Sequence, residues 1–206
     1  MEAMVDKEKG LLAKGVGRKK IRAALDEARA AQALVTVTRR IPEADPVEGF
    51  VTSVGSNWVA LARLGNGIVF DGFALLRIKD LKSVRQEIHD QARVEVRALH
   101  ARSLWPPPEA AVQLNGFVDA VTSAAGISEI LTVFTEYTRP DVCTIGAVLS
   151  VDNQTLALLE LGPRGRWSGR SRLIDAEDVS RVDFGGQYEH ALRLVAGTPP
   201  RTDAAL

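Results

Sequence analysis

The chain holds one cysteine, Cys143, in 206 residues. A single thiol excludes an internal disulfide framework. Only three histidines occur, His89, His100 and His190, and no Cys-x-x-Cys or His-Glu-x-x-His spacing is present. No metal-ligand pattern is therefore expected. No run of about 18 apolar residues exists, so no helix is expected to cross a membrane. The first ten residues are charged and lack an apolar signal core, which together with the lone thiol points to the cytoplasm. Gly65-Asn-Gly-Ile-Val-Phe-Asp-Gly72 is glycine-rich but falls between strands, not before a helix, so it is not a phosphate cradle. Asp175-Ala-Glu-Asp178 reads as turn chemistry rather than an acid/base pair. No catalytic residue, metal site or cofactor is assigned, and a non-enzyme is expected.

What is present is ordinary globular composition, 46% apolar and 25% charged, with an uneven distribution of charge. Residues 1–105 hold 18 Lys+Arg against 13 Asp+Glu, and residues 106–206 hold 8 against 13. The basic half suits a polyanion; equally, two modules of opposite sign attract each other. The boundary lies at Trp105-Pro-Pro-Pro108, a stretch that cannot continue a helix or a central strand.

The chain repeats itself across that boundary. A shift of 97 matches Leu34–Gly72 to Leu131–Gly169 without gaps, with eleven identical pairs. Gly49/Gly146 and Gly72/Gly169 are among them. One inserted residue then brings Asp80/Asp178 and Val84/Val182 into register. We read this as a tandem duplication.

Each copy opens with a helix, whose apolar face is Ile21, Ala24, Leu25 and Ala28 in the first and Phe117, Val118, Val121 and Ala125 in the second. Five short strands follow: Leu34–Thr38, Val47–Val54, Trp58–Leu64, Ile68–Ile78 and Leu81–Val84, then Leu131–Thr135, Thr144–Val151, Thr155–Leu161, Arg166–Ile174 and Val179–Val182. Arg85–Ala101 reads as a closing helix; Tyr188–Ala196 reads as helix or short strand. Glycines inside strands two and four mark the bends of a small closed barrel.

This plan resembles the Sm-like (LSm) barrel, twice over. The resemblance implies a mainly β (α+β) fold, a tandem duplication in which each unit is a helix followed by five bent antiparallel strands. The family's RNA-site residues are not matched. Trp58-Val59-Ala60 and Thr155-Leu156-Ala157 stand where the pattern places an asparagine, and Ile78 follows Arg77 where it has glycine. The resulting division is a flexible basic arm (1–17), a first barrel with its closing helix (18–104), a Pro-rich linker (105–109), a second barrel (110–197) and a disordered tail (198–206).

Two features are candidates for binding. In Pro163–Arg172, Arg164, Arg166, Arg170 and Arg172 surround Trp167, whereas the 97-residue shift puts Gly67, Val69, Phe73 and Leu75 at the arginine positions of the first copy. Val69, Phe73 and Leu75 are thus an expected buried interface, and the arginine face is expected to be wet. Arginines on phosphates with Trp167 as a stacking platform would bind RNA or other single-stranded nucleic acid. Protection of an edge strand, or pairing with Asp175, Glu177, Asp178 and Asp183, are the other readings. The second candidate is the arm with the start of the first helix, where Lys14, Arg18, Lys19 and Lys20 would hold a phosphate backbone; a solubilising terminus is the other reading. The leading expectation is a nucleic-acid-binding module. The alternative is an assembly module that joins a homo-oligomer or another protein, since the resemblance implies association of strand four with strand five. No membrane partner is expected.

Overall fold

The computed structural model describes residues 11–14 and 17–200. The chain is mainly β and of the α+β type. Its strands are β1 (Leu11–Lys14), β2 (Leu34–Arg39), β3 (Val47–Val54), β4 (Trp58–Gly65), β5 (Val69–Arg77), β6 (Leu81–Gln86), β7 (Leu131–Phe134), β8 (Cys143–Val151), β9 (Thr155–Gly162), β10 (Arg166–Asp175) and β11 (Arg181–Phe184). Its helices are α1 (Arg18–Ala30), α2 (Asp90–Ala101), α3 (Phe117–Ile127) and α4 (Gln187–Ala196). All eleven strands join one sheet in the order β1-β6-β2-β3-β4-β5-β11-β7-β8-β9-β10, and every neighbouring pair is antiparallel.

Two five-strand groups follow each other in that order. After α1 the first runs β6-β2-β3-β4-β5; after α3 the second runs β11-β7-β8-β9-β10. Gly49 stands opposite Arg63 and Gly146 opposite Glu160. A Cβ on Gly49 would run into the Ala62 carbonyl, and one on Gly146 into the equivalent Leu159 carbonyl. The next irregularity falls between Val51 and Ser53 in one group and Val148 and Ser150 in the other. Gly72 and Gly169 both adopt positive φ, +69° and +71°, a region open to glycine.

The 97-residue offset does not hold everywhere. Leu34 stands opposite Phe50, but Leu131 stands opposite Gly146 rather than Ala147. The first strand is therefore offset by 96. Leu34 matches Ile130, each packed in a small cluster under a closing helix, with Leu99 or Leu192. Thr36 donates to buried Glu87 and Thr132 to buried Glu189, both at 2.5 Å. The same offset aligns the buried faces of α1 (Ile21, Ala24, Leu25, Ala28) and α3, where Ala120 and Ala124 flank the core and Val118 does not.

Two main cores sit on opposite sides of β4 and β5. Val59, Leu61, Ala74 and Leu76 point into the first, with α1. Trp58, Ala60 and Leu75 point into the second, with α3, Leu131, Val133, Leu156, Leu158 and Val182. Strand alternation thus serves a different core on each face, which is why Trp58–Ala62 is buried without interruption.

Several expectations change. The sheet is open and continuous, and closed barrels are not formed by its hydrogen bonding: β5 gives its free edge to β11, and β6 gives its own to β1. The expected helix over Arg85–Ala101 starts later, because β6 stays in its ladder to Gln86 and α2 begins at Asp90, where His89 Nδ1 accepts from the Ala92 N–H at 3.1 Å. Tyr188–Ala196 is helical, within α4. Strand five of the second group lies at Arg181–Phe184, two residues later than expected. Within the expected flexible arm, residues 11–14 form β1; residues 1–10, 15 and 16 and tail residues 201–206 lie outside the described residues. The proline segment is docked rather than free: Trp105 packs edge-on against Phe50 and stacks on His100, and the buried Leu114 offers its carbonyl to the Asn57 and Trp58 N–H groups.

Candidate functional site

The junction between the two groups is a strand pair, β5 with β11. Leu76 stands opposite Arg181, Leu75 opposite Val182, Ala74 opposite Asp183 and Phe73 opposite Phe184. Leu75 is fully buried there, and Phe73 and Phe184 stack with centroids 5.3 Å apart. Arg63 of β4 reaches across to Asp183 at 2.9 Å. Asp183 also holds Arg181, whose guanidinium lies over the Phe134 ring. Burial works against the Arg181 charge, but Asp183, together with Glu136 and Asp45, outweighs it, so the Arg181 pKa rises.

A second ion pair and several hydrogen bonds stitch the groups together. Arg39, with a fully buried side chain, bonds both oxygens of Glu136. The Ser180 hydroxyl donates to the same carboxylate at 2.6 Å. Arg77 binds Asp80 at 2.6 Å and the Glu177 carbonyl at 2.7 Å, and the Tyr137 hydroxyl donates to Asp80. Burial and the Asp80 carboxylate push the Tyr137 pKa up.

The other end of the sheet is β10, which among the described residues pairs only with β9 and has no strand on its second edge. Three residues, Ser168 to Arg170, bulge between the pairs Trp167–Leu161 and Ser171–Leu159. In β5 the matching interval, Phe70 to Phe73, is one residue shorter. The insertion therefore lies inside strand four. It changes the expected correspondence of the arginine row. Arg166 matches Val69, but Arg170 sits in the bulge, Arg172 matches Ala74, and it is Leu173 that matches Leu75. Leu75 is 0% exposed and Leu173 71% exposed.

Arg164, Arg166 and Arg170 are exposed. Among the described residues, the row's one ion pair is Arg172 with Glu160 at 3.9 Å. Asp175, Glu177, Asp178 and Asp183 do not pair with it; Asp183 is taken by Arg63 and Arg181. Trp167 is half-buried. It packs on Ile130, Leu161 and Leu192, and its indole N–H donates to the Ala196 carbonyl at 3.2 Å. Lys14 of the arm lies on β1; at the start of α1, Lys19 and Lys20 are exposed and Arg18 is engaged with the Ser56 carbonyl and the Asn57 side chain, each at 2.5 Å. Arg18 and Asn57 line a cleft at the junction together with Lys79, Phe117 and Asn153. Of the expected interface residues, Phe73 and Leu75 lie in the junction, and Val69 is half-buried opposite Gly65 at the start of β5.

No known protein-family model matches the chain, and no curated protein or solved structure is significantly similar to it.

Leu173 is exposed on this edge strand and Glu160 of the neighbouring β9 pairs with Arg172, and the sequence pattern does not single them out. An exposed leucine in a strand pattern gives no signal until the insertion is placed. The remaining chemistry is sparse. Cys143 is exposed at the start of β8; partial desolvation of its thiol, aided by Asp183 and Glu189, raises its pKa, the opposite of an activated nucleophile. Among the described residues no group of three or more His, Cys, Asp or Glu is placed to hold a metal, and no helix is long and apolar enough to cross a membrane.

Proposed function

We propose that the chain is a tandem pair of Sm-like units acting as a non-catalytic assembly module, which joins another chain by adding a strand to the open edge of β10. The contrast between Leu75 and Leu173 carries this reading. One strand-four leucine is buried where strand five covers it, and its counterpart is 71% exposed where none of the described strands does. The repeated strand order and the equivalent glycines support the duplication behind it. An open strand edge bearing an apolar side chain is a site for strand addition. Light scattering across a concentration series tests this. Wild-type chains associate, and Leu173→Arg leaves monomers with unchanged melting, because the leucine has no packing role inside one chain. Association that survives Leu173→Arg overturns the reading.

Nucleic-acid binding is the second reading, favoured by Arg164, Arg166 and Arg170, which are exposed and have no acidic partner among the described residues. Replacing these three with glutamine is expected to weaken single-stranded RNA binding and to flatten its log–log salt dependence by roughly 0.7 for each phosphate no longer neutralised. Absence of RNA binding by the wild type at low salt removes this reading.

A further inference from the structure

We infer that the partner of β10 is the β6 edge of a second copy of this chain, selected by an ion pair that inverts the polarity of the internal junction, and that β1 guards that edge. The inference rests on the assembly reading above and names its partner.

The two outer edges are the two halves of the internal junction, one on each unit. Strand four is β5 inside and β10 outside; strand five is β11 inside and β6 outside. The charged positions can be matched by pairing alone. Arg63 stands opposite Gly49, and Glu160 opposite Gly146, so Glu160 is the counterpart of Arg63. Asp183 stands opposite Thr132, and Arg85 opposite Thr36, so Arg85 is the counterpart of Asp183. Inside the chain, strand-three arginine meets strand-five aspartate at 2.9 Å. On the outer edges, strand three carries glutamate and strand five carries arginine. The signs are exchanged and remain complementary.

Within the chain β5 and β11 are each paired on both edges, so the strand-five partner left for β10 is β6. There Glu160 faces Arg85, and opposite charges meet across the new seam as Arg63 and Asp183 meet across the internal one. The arrangement is head-to-tail, so addition continues until it closes or runs on.

In the junction's register, Leu173 stands opposite Val84, as Leu75 stands opposite Val182. Leu75 and Val182 share the second core, and Val84 belongs to the first core. Leu173 would therefore enter the first core of the incoming chain. Arg172 would stand opposite Arg85, in the place of Ala74 opposite Asp183. Two carboxylates accompany those two arginines, Glu160 at 3.9 Å from Arg172 and Glu87 at 2.6 Å from Arg85.

The β6 edge is occupied in the single chain. Ala13 stands opposite Val84 and Lys14 opposite Ser83, the places that Leu75 and Leu76 take on β11 opposite Val182 and Arg181. β1 is thus a four-residue stand-in for strand four. It satisfies the edge until a longer strand replaces it.

Sedimentation equilibrium measures the test on full-length wild type, Ala13→Pro, Glu160→Gln, Arg85→Gln and the double glutamine variant, with melting followed for each. Ala13→Pro weakens β1 and is expected to tighten association. Each glutamine variant is expected to weaken it about tenfold, and the double variant no more than either single, as for two partners of one contact. Glu160→Arg, with its melting unchanged, is expected to abolish association. Association that needs Leu173 but is indifferent to Glu160 and Arg85, or loses affinity additively, overturns the inference and leaves the assembly reading standing. Monomers throughout, Ala13→Pro included, overturn both.

Discussion

Truncating one leucine in each strand four separates the covered edge from the open one within a single chain. Leu75 is 0% exposed between β4 and β11 and belongs to the second core with Val182 and Leu131. Leu75→Ala removes three buried carbon atoms from a site that strands fix on both sides, so it cannot collapse freely. It is expected to cost about 2–5 kcal/mol. For a chain of this size that corresponds to a fall in Tm of roughly 4–20 °C. Leu173 is 71% exposed, so Leu173→Ala in a dilute monomer is expected to stay within about 0.5 kcal/mol of wild type. Urea unfolding, followed by far-UV circular dichroism at a concentration where sedimentation shows monomers, gives both values. The m-value should not change, since neither substitution alters the area exposed on unfolding. A Leu75→Ala loss below about 1 kcal/mol, or an equal loss for Leu173→Ala in monomers, refutes the assignment of one as junction core and the other as open edge.

Three other outcomes follow from the geometry. Glu136→Gln leaves the fully buried Arg39 guanidinium without its counter-charge and is expected to cost about 3–5 kcal/mol in urea unfolding, whereas replacing both residues with methionine costs less. Trp167→Ala is expected to lower stability by about 1–3 kcal/mol through poorer packing beneath α4, and to leave any RNA affinity of the folded protein unchanged in a filter-binding assay. Asp152 accepts from the Gln154 and Thr155 N–H groups at 2.7 Å, which holds its pKa below the usual aspartate value. That contribution is full above the unfolded-state pKa and is lost as pH falls through the folded value, so Asp152→Ala should flatten the acid limb of a Tm-against-pH curve.

Much of the architecture is legible in the residues. Gly49 and Gly146 show through because a side chain at either would strike the neighbouring strand. The alternating, β-branched segments mark most strands to within two residues. The offsets are harder to read. Leu34 and Leu131 are identical, yet Leu34 packs outward beneath α2 and Leu131 packs in the second core. An ungapped alignment scores the identity and misses the one-residue change. Likewise the extra residue in β10 lies in the bulge at Gly169, where a loop absorbs it without a trace in the hydrophobic pattern. Misplacing it sets Arg172 on Leu75 and hides Leu173. The cross-junction pairs Arg63–Asp183 and Arg39–Glu136 are separated by 120 and 97 residues; only the sheet order brings them together.

Amide hydrogen exchange along β10 tests the assembly claim most directly. In dilute wild-type protein the outward N–H groups of Ser171 to Ile174 exchange rapidly, while Phe73 to Leu76 of β5 are protected on both edges. As concentration rises, protection at Ser171 to Ile174 should climb toward that of β5, and Leu173→Arg should abolish the climb. Exchange on β10 that stays fast at every concentration, or protection that Leu173→Arg leaves intact, contradicts the account.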